Sequence, residues 1–534
     1  MSAIASPPVL VLTASTVQPS VTSSATVPIT DADAARFLAQ ASMGASRELI
    51  SQVKSKGYAG WLDGQLAMAG SGARWDWLVA KGFNAIAKKN TEEGFDAAVW
   101  RKLVSAPDTL RQRITLALSE ILVVAIDGLV GASWRSFSAA AYLDLLEVHA
   151  FGNYRTLLGA VSTSAPMGQF LTFRGNVKAD PVTGSHPDEN YARELMQLFT
   201  IGLVKLNQDG TPVTVNGAPA YTYSQDDVSA LARVFTGWDF DMAGGDGSTP
   251  DFLRRPMKQI PARHDTGAVS FLGGTVGAGL GGADALRAAL DILFAHPNLA
   301  PFISRQLIQR LVTSNPSSAF VARISAVFSN DGSNVRGNLK AVIRALLLDP
   351  EARTRQSSPG TGKLREPILR LTAWARACAV TSASDTWAIG NTSDPATRLG
   401  QSPLRSPSVF NFFRPGYVPP GSVIASAGLV APEFQIANES SVVGYVNFMQ
   451  HLIGPGIGDL LPNYTSWQSL ANNGASLIAE LNTVVAAGQL DPSTVTLIVN
   501  VINGMPAGAG VLLLNRVKVA LVLVLAAPEF IVLK

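Results

Sequence analysis

The run from Ser185 to Leu203, SHPDENYARELMQLFTIGL, is the densest group of polar and ionisable side chains in the sequence. Pro187 and Asp188 suit the first turn of a helix, and Ser185 with Asp188 three residues later resembles a capping pair. A helix is therefore expected from about residue 187, with Gly202 as its stop. At about 100° per residue, Glu189, Asn190, Arg193, Glu194 and Gln197 share one arc, while Tyr191, Ala192, Leu195, Met196, Leu198 and Phe199 fill the opposite side. Two carboxylates, an arginine and two amides on one arc, with His186 just ahead, can hold a metal, bind a polar substrate or transfer protons. The same arc can be an ordinary solvated face, and the Glu189–Arg193 spacing supports the helix in either case.

A second group lies downstream at His264-Asp265-Thr266-Gly267. An adjacent His and Asp can bind a metal or orient a base; alternatively, Asp265 closes a turn through its backbone. Joining the two groups gives an expected active centre. Glu189, Arg193 and Glu194 are its catalytic groups, a carboxylate acting as base or ligand while the arginine steadies an anionic group. Asn190, Asp227 and Trp238 bind substrate, and His186, Glu194, His264 and Asp265 hold one divalent metal. Glu189 and Glu194 sit about 140° apart around a helix, so one ion seldom takes both. The rival expectation is a non-catalytic helical scaffold or binding partner, in which the arc is a buried network or an interface.

Composition narrows the alternatives. With 534 residues, 47% of them hydrophobic, the chain can bury a large core. Net charge is +3 and no run of like charges appears, so no nucleic-acid footprint is expected. The single cysteine, Cys378, rules out an internal disulfide and CxxC motifs, and it reads as a small buried apolar residue rather than a haem ligand. Gly277-x-Gly279-x-x-Gly282 matches a dinucleotide fingerprint formally, but no βαβ unit surrounds it, so neither haem nor nucleotide is expected. No GxSxG elbow is present. No segment looks able to span a membrane; the most apolar run, Val517 to Ala527, is too short and contains Lys518.

The elements that must position these residues are mostly helices. Residues 1–30 lack Lys and Arg and read as a flexible leader; Thr30 then caps a helix. Helical periodicity follows over 31–42, 47–56, 58–68, 93–104, 108–127 and 134–150, with His149 ending the last as a cationic complement to the helix dipole. Asn216-Gly217, with Val213 and Val215 before it, predicts a small β-hairpin, and Ser224 with Asp227 predicts a capping box. Helices return over 283–295, 299–313, 317–328, 337–348 and 364–380, and again over 433–452, 465–483, 492–503 and 513–526. The proline-punctuated aromatic stretch LGQSPLRSPSVFNFFRPGYVPPG, residues 399–421, is expected to pack across the helices and wall a pocket. The fold class is thus mainly α: one large multi-helix domain over 31–534, with room for two lobes, long ordered loops and a small hairpin.

These motifs resemble, in order, a bacterial family catalogued as domain of unknown function 1800. The likeness rests on PDENYARELMQLFTIGL followed by YSQDDVSALARVFTGW, and on HAFGNYRTLL, RHDTG with FLGG, HPNLAPFISRQLIQRLV, LREPILRL, SPSVFNFFRPGYVPPG and APEF. It covers residues 31–534. The resemblance implies a mostly helical protein that is periplasmic or extracellular, encoded beside a sulfatase-like protein that is a candidate partner. Export in turn implies an envelope or extracellular polymer, such as a polysaccharide, as substrate. The family has no agreed reaction, and the leader of this chain departs from a typical export signal.

Overall fold

Thr30 takes an extended backbone and accepts the Asp33 amide, which opens helix Asp31–Ala41 as its sequence predicts. The computed structural model describes residues 28–355 and 360–534, so most of the expected leader, residues 1–27, lies outside the described residues. The pair of helices expected on either side of Gly57 forms one run, Arg47–Ala67, broken at Gly57 by a backbone φ of +71°. Ser224 and Asp227 make the reciprocal capping box that starts helix Gln225–Ala232. Asn216 and Gly217, at φ +51° and +80°, turn the predicted hairpin between Thr214–Val215 and Ala218–Pro219.

The fold is mainly α, and the strands among the described residues form two-stranded antiparallel pairs only. One of these pairs joins Val532–Leu533 to Lys363–Leu364 and ties the end of the chain to the segment entering helix Pro367–Ala377. A contiguous apolar core runs from Ala34 to Phe530. No helix among the described residues is long and apolar enough to cross a membrane.

Several expected helices are shorter than their patterns: the one over 465–483 forms two, Thr465–Gln468 and Gly474–Val484, and those over 364–380 and 433–452 are Pro367–Ala377 and Glu439–Ile453. The apolar run to Ile126 is buried as expected, but the helix is Thr109–Ser119 and Glu120 is its cap. Beyond it backbone groups are handed to other segments: the Leu122 carbonyl accepts Tyr142 Oη at 2.6 Å, and the Ile126 amide donates to the Leu404 carbonyl at 2.8 Å.

The polar helix is Asn190–Gln197 rather than a helix from residue 187, and Ser185 does not cap it. Asp188 is pinned instead to the preceding loop. Its Oδ2 accepts Thr172 Oγ1 at 2.7 Å, its amide donates to Asn176 Oδ1 at 2.9 Å, and its Oδ1 takes the Asn190 amide at 2.8 Å. At the other end, the Ile201 and Gly202 amides both reach the Met196 carbonyl at 2.9 Å, and Gly202 has φ +69°. The Phe302 ring lies against Gly202 so closely that a Cβ there would overlap it. We expect Gly202→Ala to cost about 1–3 kcal/mol of unfolding free energy, read by denaturant titration, because it meets both an unfavourable φ and the Phe302 ring, which must shift to admit a methyl group.

Candidate functional site

The structure disperses the expected centre. Glu189 is taken up in a network: its Oε2 accepts Arg193 Nη2 at 3.0 Å and Gln225 Nε2 at 2.7 Å, and its Oε1 accepts Ser229 Oγ at 2.5 Å. The Ser229 bond and these neighbours hold its carboxyl below the ordinary range. Asp265 pairs bidentately with Arg233 at 2.7 and 3.0 Å and accepts the Gly267 amide, the turn-closing role. His264 is buried, with Nδ1 3.0 Å from the Thr236 carbonyl, and its Nε2 has no partner among the described residues. His186 and Asn190 are exposed. Asp227 is occupied by its capping box and by the Leu272 amide at 2.8 Å, and Trp238 is buried in the core. Among the described residues no three His, Cys, Asp or Glu side chains are grouped to hold a metal ion, so His186, Glu194, His264 and Asp265 are not carried forward as a metal site.

Glu194 alone of the arc is buried, and its Oε2 lacks a partner. Burial pushes its carboxyl up, against the pull of Arg193. His149 also departs from expectation: burial lowers its pKa, so the imidazole at the helix end is held towards its neutral form.

What the polar helix does reach, through Gln197 at its end, is a cavity of about 450 Å³. Helix Leu299–Leu311 supplies one whole face to it: Phe302, Arg305, Gln306, Gln309 and Arg310 follow the i, i+3, i+4, i+7, i+8 spacing of a single stripe. Leu203 and Gly202 form another side. The aromatic loop closes it with Val409, Phe410 and Arg414, as its sequence led us to expect, and Glu120 stands in the wall. The Arg414 guanidinium lies 4.6 Å over the Phe410 ring and that of Arg310 lies 4.6 Å over Phe413. Gln309 Nε2 donates to the Ser314 and Pro415 carbonyls, which anchors the loop to the helix. Gln306 Nε2 and Arg310 Nη1 are buried and make no hydrogen bond to any described residue.

Behind this wall sits a buried cluster of charges from five segments. Arg113 Nη2 and Lys363 Nζ both donate to the Arg310 carbonyl, at 2.5 and 2.8 Å, satisfying an orphan acceptor at a helix C-terminus with cations. Lys363 is also 3.1 Å from Glu433 and 3.5 Å from Glu366, and Gln401 donates to Glu366 at 2.9 Å. Arg310 Nη1 is 3.3 Å from Glu120 Oε2, but neither Glu120 oxygen receives a hydrogen bond from any described donor. The Glu120 carboxyl meets that of Glu366. Two carboxyls can share such a contact only if one carries the proton. Burial, reinforced by the Glu366 charge, pushes Glu120 well up. Burial would raise Glu366 too, but the bond from Glu120 and the charges of Lys363, Arg113 and Arg310 outweigh it and hold Glu366 low. These opposite directions place the shared proton preferentially on Glu120.

Sequence reasoning missed Glu120, Gln306, Gln309, Arg310 and Glu366. A signal for the helix residues was present: amides and arginines recur at helical spacing inside ISRQLIQRL, where a core-facing stripe would be apolar. No local signal marks Glu120 or Glu366, because their meeting depends on tertiary contacts.

A family model described as a protein of unknown function, DUF1800, matches residues 36–532 of the chain. No curated protein and no solved structure matches it.

The Glu194 geometry gives a pH test. Its folded pKa lies above its unfolded value, so the native state binds more protons and stability falls as pH rises through that window. Glu194→Gln removes this loss: the variant's stability relative to wild type should improve between pH 4 and pH 8 in parallel denaturant titrations. An unchanged difference across that range would show that Glu194 titrates as it does in water.

Proposed function

We propose that this chain, which belongs to the DUF1800 family of proteins of unknown function, binds a segment of an acidic polysaccharide in the cavity between helix Leu299–Leu311 and the aromatic loop. The observation that carries this reading is the pair of buried donors, Gln306 Nε2 and Arg310 Nη1, which make no hydrogen bond to any described residue, on a wall that also presents Arg305 and Arg414. Buried donors without acceptors cost about 1–3 kcal/mol each, and a ligand rich in acceptors removes that cost. Among the described residues Glu120 is the one carboxylic side chain on the wall, and its pKa is pushed up, while Arg305, Arg310 and Arg414 make the lining predominantly cationic and favour an anion. Phe302 and Phe410 offer ring faces, and Gln197, Gln306 and Gln309 offer amides for hydroxyl groups. A carboxylated sugar ring meets all three demands, and about 450 Å³ lies within the range of roughly 300–1,000 Å³ typical of ligand sites. A location outside the cytoplasm, where such polymers occur, belongs to this same proposal.

A catalytic reading of the site is favoured by one feature, the Glu120–Glu366 pair, because two carboxyls with pKa values driven apart supply an acid and a base. The scaffold reading is favoured by the polar arc, where Glu189 is spent on Arg193, Gln225 and Ser229.

Calorimetry with oligogalacturonate, with neutral dextran as control, tests the proposal. We expect binding of the acidic oligomer only. Arg414→Ala and Gln306→Ala should each weaken it about tenfold, the effect of one charge-assisted or otherwise unmatched hydrogen bond. New reducing ends during incubation would establish the catalytic reading, and binding without turnover the scaffold. Equal affinity for both polymers, or none for either, would refute the proposal.

A further inference from the structure

The charge count behind the cavity does not balance. Arg113, Arg310 and Lys363 face the three carboxyls of Glu120, Glu366 and Glu433, so one cation is in surplus whenever Glu120 holds its proton. Arg370, on helix Pro367–Ala377 and stacked 4.9 Å over Tyr445, reaches towards Glu433 and Glu366 from behind and adds to the surplus. These are the charged groups that face Glu120 and Glu366 from the packed segments. Burying an unbalanced cation is costly, and only two things can offset it: ionisation of Glu120 from inside, or an anion from the cavity side. Arg310 is the point where the alternatives meet. Its Nη1 makes no hydrogen bond to any described residue, it lies 3.3 Å from Glu120 Oε2, and the same side chain lines the cavity.

We propose that Glu120 is an internal competitor of the anionic ligand, so that an anion enters the cavity only while Glu120 holds its proton. When Glu120 ionises, its carboxylate claims Arg310 and cancels the surplus that attracts the ligand. When it is protonated, it donates to Glu366 and leaves Arg310 Nη1 free to bind. By linkage, a bound anion in turn raises the proton affinity of Glu120, and binding above the Glu120 pKa takes up as much as one proton from solvent. The site thereby gains a preference for acidic surroundings. Glu120 acts here as a positioning residue, setting the charge that Arg310 presents. The inference rests on the cavity being an anion site, as proposed above.

The test is calorimetric titration of trigalacturonate into the full chain between pH 5 and pH 9, in pairs of buffers with different ionisation heats so that proton uptake is read directly. Wild type should lose affinity by up to about tenfold per pH unit above the Glu120 pKa, with proton uptake approaching one, over a total span of about 5- to 150-fold. Glu120→Gln, neutral and of the same shape as the protonated acid, should bind across the range with no such slope and no uptake. The same slope in Glu120→Gln would overturn the inference. A ligand-independent reading accompanies it: infrared spectra of wild type at pH 7 should show a neutral buried carboxyl band that is absent from Glu120→Gln. If trigalacturonate binds neither protein, the polysaccharide proposal fails and the infrared spectrum decides the inference, since wild type without that band has no proton on Glu120 to compete with an anion.

Discussion

The contact between the Glu120 and Glu366 carboxyls, enclosed by Arg113, Arg310 and Lys363, is the constraint on which the surrounding architecture depends. Each of these ions would cost several kcal/mol to bury alone, and removing one partner of such a set typically costs about 3–5 kcal/mol. The cluster persists because segments distant in the chain converge on it. Glu120 comes from the end of helix Thr109–Ser119, Arg310 from the last turn of Leu299–Leu311, and Lys363 from the strand paired with the C-terminus. Two cations on the Arg310 carbonyl fix where that helix ends. With the end fixed, the stripe from Phe302 to Arg310 must face the same way, and the cavity wall follows.

A cavity lined by a helix needs something to keep a loop from collapsing into it. The aromatic loop is held off by bonds made at its edges rather than across the hollow. Arg405 grips Asp96 with two bonds of 2.8 and 3.0 Å, and the Leu404 carbonyl takes the Ile126 amide. Gln309 holds the Pro415 carbonyl, and Asn315 bonds Val430 in both directions at 2.9 Å. Phe413 lies beneath Arg310 while Phe410 carries Arg414, so two aromatic residues of the loop each hold a guanidinium of the wall. The Gly202 backbone, too close to Phe302 to carry a side chain, sets the third side. The cavity wall is thus fixed largely by backbone anchoring at its edges, which leaves polar atoms such as Gln306 Nε2 without a hydrogen bond to any described residue.

Local rules were legible in the sequence wherever the information is itself local. Thr30, Ser224 with Asp227, Gly57 and Asn216-Gly217 announce their caps, break and turn, and each acts as its chemistry dictates. Helix ends failed where a distant partner competed for the backbone: Asn176 and Thr172 draw Asp188 out of the expected first turn, and Leu404 draws Ile126 out of the expected helix. The loop at 399–421 was readable as a pocket wall because apolar residues between prolines must find cover. The polar arc misled because its residues were judged by density along the chain. Glu189, half-buried beside Ser229 and Gln225, completes a helix–helix contact, whereas Glu120, isolated in an apolar run, faces another carboxyl.

That contrast extends to how a weakly charged chain uses the ions it has. Only 15% of residues are charged, yet several lie in the interior, and they fall into two kinds of cluster. In one, Arg74 reaches Glu147 at 2.7 Å, Asp144 at 3.1 Å and Gln112 at 2.9 Å, and Lys102 reaches Glu147 at 2.6 Å; cations and carboxylates match in number, and only Arg74 Nε of this set lacks a hydrogen bond among the described residues. Such a cluster specifies how helices register and asks nothing of the solvent. In the other, Glu120 accepts no hydrogen bond, Arg113 leaves Nε and Nη1 unmatched, and Arg310 leaves Nη1 unmatched beside a hollow. If stability alone had shaped this second cluster, an apolar replacement of the same volume would serve as well or better. Set at the wall of a cavity, this cluster is the interior charge group whose unmatched donors are open to an acceptor from outside the fold, which is the ground of the binding proposal.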